Sequence, residues 1–271
     1  NSTVLTTEQA RMYQELGADV ICLMRSTHRR FDLLGKMVDT LSIPVQLIAT
    51  SGCVSGCVNM VSLYHMSQTC SLTREGREDT PEGRHGQGFC FSWCHAKKLE
   101  KPEEVLKAAF IRPEDLSLYE QLGINEFKLD TRVLSTPAIM QRVKAYCERV
   151  WEGDLQGLIS VFQLGYETRV GTQMGTGKKV TVRKLHDGGP EAAFKRFFSL
   201  AEYVDFKRLL ELDSKAVDGF IQGLKKKPCS SSCGGCDYCS RIAEKAQEWN
   251  DEDRKKLLEI IKEYRKALYE R

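Results

Sequence analysis

Hydrophobic positions in the first half of the chain alternate between a helical period and short apolar runs. Thr7 to Leu16 reads as a helix, capped by Thr6 or Thr7, with Glu8 in the first turn where a carboxylate suits the helix dipole. After Gly17, the apolar run Asp19 to Met24 (DVICLM) has the length of a strand. From Arg29 to Leu41 the residues Phe31, Leu34, Met37, Val38 and Leu41 return at helical spacing. Pro44 introduces a second strand, Val45 to Ala49, which ends just before Cys53. Pro113 to Leu122 is a helix with proline at an early position, where a missing N–H costs nothing, and Gly123 closes it. Glu126 to Leu129 is a third strand and Thr136 to Trp151 a further helix. Strand–helix alternation with short connections predicts a parallel α/β architecture. In a barrel of parallel strands, chemistry sits on the loops after the strands' C-terminal ends, where Cys53, Asp130 and Arg132 fall.

From about Asp154 the pattern changes. Leu155 to Leu164 reads as helical, and Tyr166 to Val182, rich in Gly, Thr and Val, as a hairpin or irregular insert. Four charged helices are expected at Glu191 to Arg208, Ser214 to Lys226, Ser240 to Trp249 and Asp251 to Tyr269. On the last, Leu257, Leu258, Ile260, Ile261 and Tyr264 form a narrow apolar stripe, and the Lys and Glu residues between them its solvated face. The chain thus divides into an α/β portion, residues 1–153, and a region of insert and helices, residues 154–271.

Composition narrows the class. Of 271 residues 41% are hydrophobic and 28% charged, a globular balance with ample material for a core. Lys and Arg number 40 against 37 Asp and Glu, a net charge of +3, too even to imply a nucleic-acid partner from charge alone. No apolar run has the length of a membrane span, and a cytoplasmic location is expected. The opening on Asn1 rather than Met points to a processed chain or a fragment.

The 11 cysteines change the picture most. An odd, clustered set in a cytosolic-looking chain favours metal or iron–sulfur ligation over disulfides. Cys53 and Cys57 form one C-x3-C pair and Cys90 and Cys94 another; four thiolates from two loops enclose a four-iron cluster or one zinc. Cys70 is a fifth candidate or a structural thiol, and His65, on the same expected helix, faces the site or is a core histidine. Cys229, Cys233, Cys236 and Cys239 make a dense C-x3-C-x2-C-x2-C motif, with Pro228, Gly234 and Gly235 supplying tight turns. Its first three cysteines have the spacing of radical S-adenosylmethionine enzymes. The fourth closes the coordination and the motif falls late in the chain, so a closed four-iron cluster is the first reading and structural zinc the second. Cys22 and Cys147 stand alone.

Weaker signals add charge around the expected barrel mouth. Arg112 and Asp115 flank a helix start, as an ion pair or cap or as substrate contacts. Lys128 alternates with Phe127 and Leu129, so it is expected to point inward or across the sheet, an expensive place for an unpaired charge unless an anion such as a carboxylate meets it. With Arg132 and His65 these residues form the candidate catalytic set. Gly171 to Lys179 misses the phosphate-loop spacing by one residue, and no hydrolase or dinucleotide motif is present.

The segments GCVSGC from Gly52, then SLYHMS, IRPEDLSLYEQLGINEFKLDTR (Ile111 to Arg132) and AYCERVWEGDLQGL together resemble peptidase family U32, the collagenase-like family. Val58 departs from the proline often found after the second cysteine. The resemblance implies a TIM-barrel-like core, of which this chain holds the later strands, and an oxygen-sensitive 4Fe–4S cluster held by cysteines near the barrel mouth. It implies oxygen-independent hydroxylation, in ubiquinone synthesis or on tRNA and rRNA, with prephenate as oxygen source, although other members are called peptidases. The leading expectation is therefore an iron–sulfur enzyme acting on a small molecule or an RNA base. A peptidase is the rival enzyme, and an electron-transfer subunit that needs a partner protein is the non-catalytic alternative.

Overall fold

The computed structural model describes residues 3–55, 57, 93–130, 134–159, 209–226 and 235–269. The hairpin expected at 166–182 and the helix at 191–208 lie outside them.

Helix α1 (Thr7–Glu15) starts on a capping box: the Thr6 hydroxyl accepts from Gln9 N at 3.2 Å while the Gln9 side chain accepts from Thr6 N at 3.3 Å. Strand β1 (Ile21–Cys22) leads through a 3-10 turn, Arg25–Thr27, to α2 (Phe31–Thr40), which buries Phe31, Leu34 and Met37. Strand β2 (Val45–Ile48) follows. Residues 93–100 form α3, and α4 (Glu103–Lys107) comes next, two short helices on either side of Pro102. Neither is long enough to show a period, and the sequence reading left this stretch without an element. The 3-10 turn Pro113–Asp115 runs into α5 (Leu116–Glu120), so the helix expected over 113–122 is a tight turn and one short helix. Strand β3 (Glu126–Lys128) precedes α6 (Thr136–Glu148), which stops where Arg149 takes the left-handed region at φ 60°.

Later elements depart further from their expected form. Strand β4 (Leu210–Leu212) was not foreseen. The helix expected at Ser214 to Lys226 breaks into a 3-10 turn, Lys215–Val217, and α7 (Phe220–Lys226), because Gly219 adopts φ +76° between them. Helix α8 (Tyr238–Ala246) begins two residues early, and its expected C-terminal end is instead β5 (Gln247–Trp249), which pairs with β4. Helix α9 (Asp251–Tyr269) spans the expected range and buries Leu257, Ile260 and Ile261.

Strands β1, β2 and β3 form a parallel sheet in that order, with Ile21 opposite Val45, Cys22 opposite Gln46, and Leu47 opposite Phe127. Register and the two-residue alternation put Gln46, Glu126 and Lys128 on one face and Leu47 and Phe127 on the other. The Gln46 amide donates to the Glu126 carboxylate at 3.2 Å, while Phe127 meets the edge of Tyr119, whose ring in turn packs on Phe31 of α2. The first face mixes these polar side chains with buried Cys22 and Ile48, and the other carries helices.

The chain parts into two compact units, each drawing segments from both sides of residue 153. The first comprises Asn1–Gly56, Val105–Val161 and Leu212–Gln247 and holds the parallel sheet. The second comprises Cys57–Glu104, Phe162–Glu211 and Glu248–Arg271. Within it Arg254 of α9 donates to the Leu99 carbonyl at 2.6 Å and lies 5.1 Å from the Trp249 ring centroid.

Candidate site at the strand ends

Three loops follow the C-terminal ends of the three parallel strands, and each contributes one functional group. Arg25 comes after β1, Cys53 after β2 and Asp130 after β3. Arg25 Nη1 donates to Cys53 Sγ at 3.0 Å, and its Nη2 reaches Asp130 Oδ2 at 3.4 Å. Arg25 is one-fifth exposed and Asp130 slightly more, so the pair is open to solvent from one side. Arg25 Nε is buried and, among the described residues, has no acceptor, leaving the guanidinium with donor capacity to spare. Thr50 Oγ1 accepts from Asp130 N at 2.8 Å, which ties the β3 loop to the β2 loop.

The backbone beneath this trio is continuous hydrogen bonding. Ala49 N donates to the Lys128 carbonyl and Ile111 N to the Ala49 carbonyl, both at 2.8 Å. The loop after β1 is held from behind: Arg29 donates to the Leu106 and Ala108 carbonyls at 2.7 and 2.6 Å, and its guanidinium lies over Phe110 and Phe220. His28, fully buried, bonds the Ala109 carbonyl at 3.1 Å through Nδ1; because a carbonyl only accepts, Nδ1 carries the proton. Burial pushes the His28 pKa down to about 4, so the ring is neutral at ordinary pH.

Arg112 and Asp115 are brought together, but as a buried clamp. Arg112 donates to Asp115 through Nε at 2.9 Å, and through Nη1 to the Ser214 carbonyl and Asp218 Oδ1, both at 2.7 Å. Burial works against its charge, yet the bonds to Asp115 and then Asp218 outweigh burial and raise its pKa. The ion-pair reading of these two residues describes their geometry, and the pair fastens the Pro113 turn to the turn before α7.

Lys128 is exposed. Its neighbour Phe127 takes the helix-covered face, so Lys128 projects from the opposite one, on the outer strand of the described sheet. Among the cysteines, Cys53, Cys57, Cys94 and Cys239 are half-buried and Cys236 is exposed. Cys70, Cys90, Cys229, Cys233, His65 and Arg132 lie outside the described residues. Among those described, no group of three or more His, Cys, Asp or Glu is placed to hold a metal ion. Cys53 itself suits one: its sulfur is a soft donor, and the adjacent guanidinium favours a negatively charged group such as a thiolate-ligated cluster. Arg25 was missed by sequence reasoning, although the strand-end rule applied to the run ending at Met24 would have pointed to it. No helix among the described residues is long and apolar enough to cross a membrane.

Over 243 residues the chain is 22% identical to a Methanocaldococcus jannaschii protein named "Uncharacterized protease", a match that takes in 88% of this chain and 56% of that protein. The chain thus spans about half the length of the curated relative it matches. No protein-family profile matches it, and no solved structure matches it.

Proposed function

We propose that this chain is a U32-type enzyme whose chemistry is organised at the C-terminal ends of β1, β2 and β3, with Cys53 as its central sulfur. The observation that carries the reading is the convergence of Arg25, Cys53 and Asp130 from three successive strand ends. In this reading the strands belong to a TIM-barrel-like core, and the spacing of Cys53, Cys57, Cys90 and Cys94 assigns them as ligands of a 4Fe–4S cluster. Such a cluster, when bound, supplies one-electron redox chemistry. Arg25 then offsets negative charge beside Cys53, and Asp130 orients Arg25. The reaction class is oxygen-independent hydroxylation or a related redox modification of a small molecule, with prephenate the proposed oxygen source, or of an RNA base in the cytoplasm. The late four-cysteine motif, Cys229, Cys233, Cys236 and Cys239, would bind a second centre, iron–sulfur or zinc, of structural or electron-relaying role.

The test is anaerobic purification with iron and sulfide counting and electron paramagnetic resonance, on the wild-type chain and on Cys53→Ser. A signal accounting for about four iron ions per cluster that disappears in Cys53→Ser supports the proposal. A peptidase is the second reading, favoured by the name of the archaeal relative. Gelatin or peptide cleavage that persists in iron-free protein would replace the redox reading with that one.

A further inference from the structure

Gly223 lies inside α7, where glycine costs about 1 kcal/mol relative to alanine. Its backbone is ordinary, not left-handed, so conformational freedom does not explain the choice. Space does: a Cβ there would collide with Tyr238 Oη and stand 2.7 Å from Tyr238 Cζ. Tyr238 opens α8, between Cys236 and Cys239. Its ring stacks on Phe220 with centroids 5.6 Å apart and planes 9° from parallel, and its hydroxyl donates to the Phe220 carbonyl at 3.1 Å. The start of α8 is thus locked onto α7 by Tyr238, one of the two residues between Cys236 and Cys239.

We infer that Gly223, Phe220 and Tyr238 are positioning residues that hold Cys236 and Cys239 ready as a chelating pair for a thiophilic metal. The inference rests on the metal-binding role proposed for the late cysteine motif. Thiolate–metal bonds of about 2.3 Å tolerate little misplacement, and a pair fixed beforehand loses less freedom on ligation than one on a free loop. Phe220 and the Gly223 notch fix Tyr238, and Tyr238 fixes the backbone that carries both sulfurs.

The experiment strips the full chain of metal anaerobically and titrates it with Co²⁺, reading the thiolate-to-cobalt charge-transfer absorption, with far-ultraviolet circular dichroism on every variant. Gly223→Ala should weaken Co²⁺ binding about tenfold at unchanged helix content. Adding Tyr238→Ala removes the clash, so Gly223→Ala/Tyr238→Ala should bind no more weakly than Tyr238→Ala alone. Phe220→Leu, which removes the stack without adding atoms, should weaken binding about threefold and serves if Gly223→Ala does not fold. Wild-type affinity in Phe220→Leu, or additive losses in the double variant, would overturn the inference. A wild-type chain whose cobalt absorption is unaffected by Cys236→Ser would overturn the metal-binding role itself, and the inference with it.

Discussion

Arg112 and Arg25 each pair with an aspartate, one in the interior and one at the rim of the same compact unit. Arg112 and Asp115 are 3% and 1% exposed, and Arg112 spends its donors on a carboxylate at 2.9 Å, a carbonyl and a second carboxylate. Arg25 and Asp130 are 20% and 28% exposed, 3.4 Å apart, and Arg25 divides itself between a carboxylate and a sulfur while its Nε has no acceptor among the described residues. A saturated, dehydrated pair has nothing left to offer a ligand. A loosely held pair beside a sulfur does. The same two residue types therefore make a saturated interior clamp in one place and a solvent-facing pair beside a sulfur in the other.

The largest effect that sharpens this contrast is Arg112→Ala. It leaves Asp115 buried without its cation and should lower the unfolding free energy by about 3–5 kcal/mol in urea denaturation. A loss below about 1 kcal/mol, the level of exposed pairs, would erase the distinction.

Acid comes next. His28, behind the rim, has its pKa depressed to about 4 by burial, with Arg25 and Arg29 adding repulsion, and burial holds His95 at about 3, with Lys98 adding repulsion. Unfolding returns both toward the ordinary imidazole value of 6.5. Below that value the unfolded chain binds protons that the folded chain refuses, so stability is whole above pH 6.5 and drains as pH falls through about 4. His28 alone accounts for about 3 kcal/mol over that window. Flat stability between pH 7 and pH 4 would show that the pocket behind the rim is wet.

The smallest expected change in stability belongs to Arg25→Gln, below about 1 kcal/mol, because its ion pair is partly solvated. Its effect should fall instead on Cys53, as a changed rate of alkylation by iodoacetamide measured against Cys53→Ser. Alkylation that is indifferent to residue 25, with stability strongly reduced, would make Arg25 a second structural arginine.

Long, strongly periodic elements were legible: α1 with its Thr6 cap, α2, and α9 run within a residue or two of their expected bounds. Among short elements β2 and β3 were legible as apolar runs after a turn signal, whereas α3, α4, β4 and β5 show no such run or repeat in the sequence. Cys53 and Asp130 could be placed at strand ends by counting along the chain. Arg112 could not be assigned its second partner, because Asp218 lies 106 positions away. The exposure of Lys128 was not legible for a simpler reason: alternation says that neighbours face opposite sides, but not how far each side is covered.

The pairing of the three strands has a consequence for how the molecule avoids error. A slip of β2 by one position would carry Gln46 among the helices and push Leu47 onto the face of Glu126 and Lys128, so the offset of the strands is policed by solvation. The same offset decides where each loop begins, and hence that the groups following β1, β2 and β3 meet at all. A slipped copy would thus lose stability and the meeting of these three groups in the same step.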